Sequence, residues 1–228
     1  LNESEQVKGE TFRPTERVKV YVIEVKDTPK GPRVSVSRTH PDLVKRLFES
    51  EVAEVRDGTV EIKAIAREAG SRTKIAVKSN DANVDPVGAC VGLNGSRVNS
   101  IVSELKGEKI DIINWDDNPA YLIENALSPA KVICVVADEE EREAQVIVPD
   151  YQLSLAIGKE GQNARLAARL TGFKIDIKSE TQAREMGLFE QMGLQYGDTS
   201  SENYEEEQEE PESYQEYEEN YQEDGSEQ

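Results

Sequence analysis

The sequence predicts an α+β protein in which a partial β domain precedes two copies of one α-β-β-α-α-β unit and a disordered acidic tail. Three observations lead to this prediction. The chain contains an internal repeat with matched glycines. Helical and strand periodicities follow one another in the same order in both repeat units. Carboxylates dominate residues 202–228, so this end of the chain has too few apolar side chains to form a core.

The repeat is visible in two segments of similar sequence. Residues 91–112 read "VGLNGSRVNSIVSELKGEKIDI", and residues 157–177 read "IGKEGQNARLAARLTGFKIDI". Gly92 and Gly95 match Gly158 and Gly161, and the Ile-Asp-Ile triplet recurs at the end of each segment. One structural unit therefore occurs twice in this chain.

The negative charge is concentrated at one end of the chain. Residues 202–228 hold thirteen Asp and Glu and no Lys or Arg, and removing them from the net charge of −19 leaves −6 for residues 1–201. The acidic composition therefore does not exclude a nucleic-acid partner for the repeats.

Little in the composition indicates catalysis, a metal or a membrane. Cys90 and Cys134 lie in apolar runs without metal-ligand spacing, and His40 is the only histidine. No signal peptide or membrane-length apolar stretch occurs in the sequence. We therefore expect a cytoplasmic, monomeric protein with reduced cysteines, no metal, no cofactor and no enzymatic activity. Because the chain begins at Leu1, we also expect a fragment.

The first elements are two strands and a helix. Residues 18–26 alternate valines with polar residues, and residues 34–38 follow after a turn that contains two prolines and a glycine. Two strands are not independently stable, so they predict the remainder of a β domain. Thr39 is placed to cap the helix that follows, with Asp42 at the spacing of a capping box.

Each repeat unit then adds strands and helices in the same order. In the first unit, the predicted strand 58–68 directs alternate residues to one face. Strand 71–79 directs Lys74 and Lys78 outward. In the second unit, Asn118 is placed to cap the first helix and Asp150 to cap the second. The predicted buried positions are Val60, Ile62, Ala64, Ala66, Ile75, Val77, Ala164, Ala167, Ala168 and Leu170.

The two Gly-x-x-Gly segments each join a pair of predicted helices. Without side chains on the two glycines, a polyanion can approach the backbone closely. The free N–H groups and the positive dipole end of the second helix would then face that anion. A structural turn alone is the other interpretation of a single Gly-x-x-Gly, but recurrence in matched context favours a phosphate clamp.

In this context each repeat unit resembles a KH domain, whose GXXG loop holds about four nucleotides of single-stranded RNA. The element order resembles the type II, bacterial form. Over residues 7–185, the layout resembles the NusA family of transcription elongation factors. The resemblance implies that residues 1–40 are the C-terminal half of an OB-type RNA-binding barrel. It also implies KH domains at 41–115 and 116–185, followed by a tail at 186–228.

The family resemblance also implies which residues bind RNA. The glycines supply backbone contacts, Lys159 is the phosphate partner, and Glu160 turns to solvent. The first loop departs from the expected pattern because Leu93-Asn94 provides no basic residue. The predicted RNA-binding residues are Gly92, Leu93, Asn94, Gly95, Ser96, Arg97, Gly158, Lys159, Glu160, Gly161, Gln162, Asn163, Arg165 and Arg169.

The resemblance implies a factor that contacts nascent RNA at RNA polymerase and modulates pausing, termination and antitermination. It implies that RNA polymerase is contacted mainly through a domain missing here, and that other antitermination factors are partners. No Walker-type phosphate loop occurs, so the GTPases that carry KH domains are poor matches. A non-catalytic KH protein of the ribosome or of ribosome assembly is the alternative.

Two interpretations of the tail stay open. A passive, solubilising tail is the commoner role of an acidic run. Residues 202–228 also combine carboxylates with tyrosines and so imitate a polyanion with stackable rings that would compete with RNA. If the tail competes, truncation near Gly197 should tighten RNA binding, with a gain that shrinks as ionic strength rises. Titration of the separate tail peptide into the truncated protein is the measurement, and lack of inhibition at low salt would contradict competition.

Overall fold

The structure, a computed structural model, describes residues 1–191 and begins with a two-stranded β arm. Strands β1 (Tyr21–Thr28) and β2 (Gly31–Ser37) pair antiparallel, with a register shift between Val22 and Glu24. Both predicted strands are present, but each differs from its predicted bounds by one to three residues. They form a sheet of their own and do not join either of the larger sheets.

The first repeat unit has the predicted order of elements. Its helices and strands are α1 (Pro41–Glu51), α2 (Ala53–Arg56), β3 (Val60–Glu68), β4 (Arg72–Ser79), α3 (Pro86–Val91), α4 (Ser96–Glu104) and β5 (Lys109–Asn114). Only α2, a single helical turn after α1, was not predicted.

The second unit repeats this order without the extra turn. Its elements are α5 (Pro119–Ala126), β6 (Cys134–Asp138), β7 (Glu143–Val148), α6 (Leu153–Ile157), α7 (Gln162–Thr171) and β8 (Lys174–Ser179). Two short helices follow, α8 (Glu180–Glu185) and α9 (Leu188–Gln191). The predicted tail therefore begins with a helix at 188–191, and its remainder lies outside the described residues.

The two units form three-stranded sheets of the same topology. In the order β3-β4-β5, the first pair is antiparallel and the second is parallel; β6-β7-β8 repeats both relations. A parallel pair requires a crossover, and the helices α3–α4 and α6–α7 supply it. The last strand of each unit lies at an edge of its sheet, beside the helix that precedes the glycine loop.

Two predicted helix caps are wrong. His40, not Thr39, caps α1, because Pro41 takes the first helical position and His40 Nδ1 accepts the Asp42 N–H at 3.1 Å. Asp150 begins a 3-10 turn instead of capping α6, and its carboxylate accepts from the backbone and hydroxyl of Thr181. The predicted cap at Asn118 is confirmed, since its side chain accepts from the Ala120 N–H.

One face of the first sheet forms the core of the first unit. Its inward side chains pack on α1, α3 and α4, where the helices contribute aliphatic residues and one phenylalanine. The buried residues of this core include Leu43, Val44, Leu47, Phe48, Val60, Ile75, Val77, Cys90, Ile101 and Leu105.

The opposite face of the same sheet is covered by the second unit. Ala66, Ala76 and Ile113 belong to the same buried cluster as residues of α5 and α7. A β-bulge between Ile62 and Ala64 causes this division, because the extra residue reverses the facing of the strand beyond it. The prediction that Val60, Ile62, Ala64 and Ala66 share one face is therefore wrong.

Small side chains allow the close contact between the two units. Helix α7 packs against β3 and β4, whose outer face carries alanines. On α7, Leu166, Ala167 and Leu170 are buried, whereas Ala164 and Ala168 are half-buried. The buried face of α7 thus centres on Leu166 and not on the predicted alanine stripe.

Lys74 lies in this seam and is fully buried, which contradicts its predicted outward orientation. Its Nζ donates to the Ser128 carbonyl at 2.9 Å, across the seam, and lies 3.1 Å from an Asp111 carboxylate oxygen. Burial lowers the pKa of Lys74, against the opposing charge of Asp111. Arg72 donates to the same Asp111 oxygen at 2.7 Å and to the other oxygen at 2.9 Å.

A second buried ion pair closes the β3–β4 hairpin onto β5. Glu108 accepts from two nitrogens of Arg67, from Thr73 Oγ1 and from the Gly70 N–H, at 2.6 to 2.9 Å. Burial tends to raise the pKa of Glu108, but these donors outweigh it and hold the pKa below its ordinary value. The hairpin end that carries Glu68 is therefore firmly anchored.

Trp115, in the short connector between the units, packs against the cluster that both units share. Its ring is half-buried, its Nε1 donates to Asp117 at 2.9 Å, and Lys63 Nζ lies 6.0 Å from the ring centroid. Trp115 therefore packs between the two units.

We predict that Lys74→Ala lowers the free energy of unfolding by about 2 kcal/mol, because the Ser128 carbonyl and one side of Asp111 lose a buried donor. Chemical denaturation monitored by Trp115 fluorescence measures the loss. Lys78→Ala is the matched control, since Lys78 lies on the same strand with an exposed ion pair to Asp117. Equal effects of the two substitutions would contradict the structural role of Lys74.

Candidate nucleic-acid interface

The two glycine loops have nearly the same backbone conformation. Gly92 and Gly158 both have φ 76°, Asn94 and Glu160 have φ 50° and 53°, and the second glycines, Gly95 and Gly161, both have φ 72°. The repeat in sequence is therefore a repeat in three dimensions.

The first glycine of each loop is required by packing as well as by conformation. A Cβ at Gly158 would lie 2.8 Å from the Asn163 backbone nitrogen, and one at Gly92 would lie 2.7 Å from Arg97 Cγ. The second glycine differs, because a Cβ at Gly161 would meet no atom within 4 Å. Its surroundings are open, so an external backbone can approach this position.

The helices that follow the loops begin without a side-chain cap. Helices α1, α3, α5 and α8 each have a capping side chain, whereas α4 and α7 begin at the left-handed glycines Gly95 and Gly161. The N–H groups of Ser96 and Gln162 donate to the loop carbonyls of Leu93 and Lys159, and no side chain caps the rest of the first turn, where the positive end of the helix dipole lies. This arrangement suits an anion such as a phosphate.

The loop tips differ in charge. Lys159 is exposed and makes no ion pair with any residue that the structure describes. Glu160 is exposed, in agreement with the prediction that it turns to solvent. The first loop presents Leu93, which is 85% exposed, beside the exposed Asn94. Only backbone groups and apolar or amide side chains can therefore contact RNA at the first tip.

The second residue of each post-loop helix bonds to its own domain, and for the buried Asn163 this contradicts the predicted contact with RNA, whereas Arg97 stays partly exposed. Asn163 is buried, and its Nδ2 donates to the carbonyls of Leu127 and Ala156 at 3.0 and 3.1 Å. Arg97, at the equivalent position, donates to the Ala89 carbonyl at 2.6 Å and to Glu54 at 3.0 Å. Both residues hold the helix pair together, while Ser96 stays exposed.

The polar side chains predicted along α7 converge on one carboxylate of the first unit. Glu68 accepts from Gln162 at 3.0 Å and from two nitrogens of Arg165 at 2.5 and 3.1 Å. Arg169 Nη1 lies 3.5 Å from the same carboxylate. The hydrogen bond from Arg165, reinforced by Gln162 and both arginine charges, outweighs burial and lowers the pKa of Glu68 to about 2.

An apolar surface adjoins each loop. In the second unit, Leu155 and Ile157 on α6 are 45% and 37% exposed, and Ile175 and Ile177 on β8 are half-buried. Because β8 is an edge strand that packs beside α6, the exposed Leu155 and Ile157 lie next to this edge and to the loop, while Ile175 and Ile177 pack against the core. Ala89, Val91, Ile110 and Ile112 hold the equivalent positions in the first unit.

Other kinds of site are not evident in the described residues. Within residues 1–191, no three His, Cys, Asp or Glu side chains lie close enough together to hold a metal ion. None of the helices described there combines the length and the apolarity that a membrane crossing requires.

Glu68 is the residue that sequence reasoning missed. It is the last residue of β3, beside a polar turn, and its partners follow 94 to 101 positions later. Its carboxylate is paired by tertiary packing alone, and no local spacing in the sequence points to it.

Comparison with known protein families agrees with this geometry. Residues 38–115 match the NusA-like first KH domain, and residues 119–185 match the NusA-like second KH domain. The expected type II KH units are therefore confirmed in number and in order.

Curated relatives extend the match beyond the KH domains. The transcription termination/antitermination protein NusA of Bacillus subtilis is 63% identical over 186 residues, which is 82% of this chain and 50% of the relative. NusA of Mycobacterium tuberculosis is 58% identical over 178 residues, 78% of this chain and 51% of the relative. For NusA of Thermus thermophilus the identity is 49%, covering 78% of this chain and 46% of the relative.

The chain thus spans about half the length of the curated relatives that it matches. The chain matches the first and second KH domains of one family, in that order. It is also 63% identical to a member of that family over most of its own length. The chain belongs to the NusA family and carries its first and second KH domains.

Proposed function

We propose that residues 38–185 bind single-stranded RNA through both Gly-x-x-Gly loops, as part of a factor that modulates transcription pausing, termination and antitermination. One observation carries the proposal: two loops of matching backbone conformation each open a helix that has no side-chain cap. At the second loop the open Gly161 lets a sugar-phosphate backbone approach the start of α7, whereas Gly95 is buried and the first loop offers its exposed tip and Ser96.

The two loops contribute differently to RNA affinity. At the second loop, Lys159 adds a charge-assisted contact to the backbone donors, and the exposed Leu155 and Ile157 offer apolar area to a base. At the first loop, Leu93 supplies apolar contact without charge. Salt-dependent binding therefore arises mainly at the second loop, and the first adds contacts that depend less on ionic strength.

The shared seam makes the two loops one binding surface. Because α7 packs on β3 and β4, the second loop keeps a fixed position relative to the first domain. An RNA strand held at one loop then meets the other at high effective concentration, without the entropic cost of ordering two independent domains. Contiguous RNA should bind more tightly than two short oligonucleotides.

The biological setting of this proposal follows from the relatives, whose name is transcription termination/antitermination protein NusA. We infer that the RNA is nascent transcript in the bacterial cytoplasm, and that RNA polymerase and other antitermination factors are partners of the whole protein. No catalytic step is proposed. Crosslinking in cells separates this setting from ribosome assembly, because nascent transcripts support the former and ribosomal RNA alone supports the latter.

We predict that Lys159→Asp combined with Glu160→Asp weakens binding of a random-sequence 12-nucleotide RNA pool. The logarithmic salt slope should fall by about 0.7, the value for one lost phosphate contact on a single strand. Acidic replacement of Leu93 and Asn94 should weaken binding by repulsion and change the slope less, because no cation is lost. Titrations at several salt concentrations measure both quantities.

Lys45→Asp is the control for charge alone, since Lys45 is an exposed lysine on α1. It should reduce affinity much less than the Lys159 variant, and circular dichroism should show all variants folded. If both loop variants bind RNA as tightly as the unmodified protein does, the proposal that the loops bind RNA is contradicted.

A further inference from the structure

The described structure ties the RNA-facing loop of the second domain to the first domain. Glu68 ends β3 of the first domain and holds the Arg165 guanidinium through both carboxylate oxygens. Gln162, the first residue of α7, donates to Glu68 and also to Ser71 Oγ at 2.7 Å. The start of α7 is therefore fastened to the end of the β3–β4 hairpin.

Arg165 contacts both Glu68 and the backbone of the second glycine loop. Its Nη1 donates to the Glu160 carbonyl at 3.0 Å, while the rest of its guanidinium faces Glu68. Glu160 has φ 53°, a left-handed conformation that is costly for a residue with a side chain. A hydrogen bond to its carbonyl from a guanidinium that is itself held in place stabilises this conformation.

We propose that Glu68 of the first domain is a positioning residue for the RNA-binding loop of the second. Through Arg165 it fixes the Glu160 carbonyl, so that Lys159 and the N–H groups of α7 have their binding geometry before RNA arrives. Such preorganisation raises affinity because less conformational freedom is lost on binding. The inference rests on the proposed function and names a residue outside the KH domain whose loop it serves.

The first loop lacks the polar side chains that connect the second loop to Glu68. The positions equivalent to Gln162, Arg165 and Arg169 are Ser96, Asn99 and Ser103. None of these three is a cation. The loop that carries the exposed lysine is thus the one that the neighbouring domain holds.

Glu68 could instead reduce RNA affinity by masking Arg165. The two roles predict changes of opposite sign in RNA affinity when the carboxylate is removed. If the carboxylate merely masks Arg165, its removal frees a cation and raises RNA affinity. If it positions the loop, its removal lowers affinity although a negative charge near RNA is lost. The sign of the change therefore decides between the two.

The experiment is Glu68→Gln, with binding to the random-sequence 12-nucleotide RNA pool measured by fluorescence anisotropy. Glutamine keeps one acceptor oxygen, but it loses the negative charge and the bidentate hydrogen bonding to Arg165. We expect affinity to fall about threefold to fivefold, the scale of a partly exposed ion pair. Glu68→Ala should lower it at least as much.

Glu61→Gln is the matched control. Glu61 lies on the same strand and carries the same charge, but its ion pair is with Lys63 at 3.5 Å. This variant should leave RNA affinity unchanged or slightly increased.

The amide resonances of the loop glycines test the connection without RNA. In Glu68→Gln, the Gly158 and Gly161 signals should shift or broaden in ¹H–¹⁵N spectra, while Gly92 and Gly95 serve as internal controls and stay in place. A merely structural loss of stability would not single out one loop.

Unchanged or increased RNA affinity in Glu68→Gln would overturn the inference, and so would unshifted Gly158 and Gly161 signals. Because the amide spectra are recorded without RNA, they test the positioning role of Glu68 even if the Lys159 variant shows that the loop does not bind RNA. Failure of the positioning role and failure of the proposed function are thereby distinguishable.

Discussion

The burial of both faces of the first domain's sheet is the constraint on which the rest of the structure depends. One face covers the helices of its own domain, and the other receives α7 and α5 of the second domain. The bulge after Ile62 divides the side chains of β3 between these two cores. The small side chains of Ala66 and Ala76 allow a helix to pack closely on the outer face of the sheet. Without this seam the two KH domains would move independently of each other.

Charges along the seam give it a defined register. Lys74 is buried against the Ser128 carbonyl and Asp111, and Glu68 gathers Gln162, Arg165 and Arg169 at the hairpin end. An apolar seam alone would permit sliding, whereas buried polar groups penalise any displacement that leaves them unpaired. The position of the second loop relative to the first domain is set by these contacts.

The same contacts explain how an acidic chain can bind a polyanion. Arg165 is paired with Glu68 and Arg97 with Glu54, whereas Arg169 lies 3.5 Å from the Glu68 carboxylate that Arg165 already holds and stays exposed. Beside the loops, the positive ends of two helix dipoles and the side chains of Lys159 and Arg169 therefore face a polyanion. Thirteen of the negative charges belong to residues 202–228 and lie outside the KH sequence.

The sequence by itself determined the repeat, the order of elements in each unit and the two glycine loops. These features depend on local conformation: hydrophobic periodicity, and glycines at positions of positive φ, are visible in neighbouring residues. Only the tertiary structure decided that Lys74 and Asn163 are buried and that Glu68 holds Arg165. Lys74 and Asn163 resemble surface residues in any local window, and Glu68 meets its partners across 97 positions of chain. The physical reason for Lys74 is that the second domain covers a sheet face that alternation alone assigns to solvent, so the environment of its side chain depends on a partner far along the chain. Asn163 is buried instead within its own domain, where it donates to the carbonyls of Leu127 and Ala156.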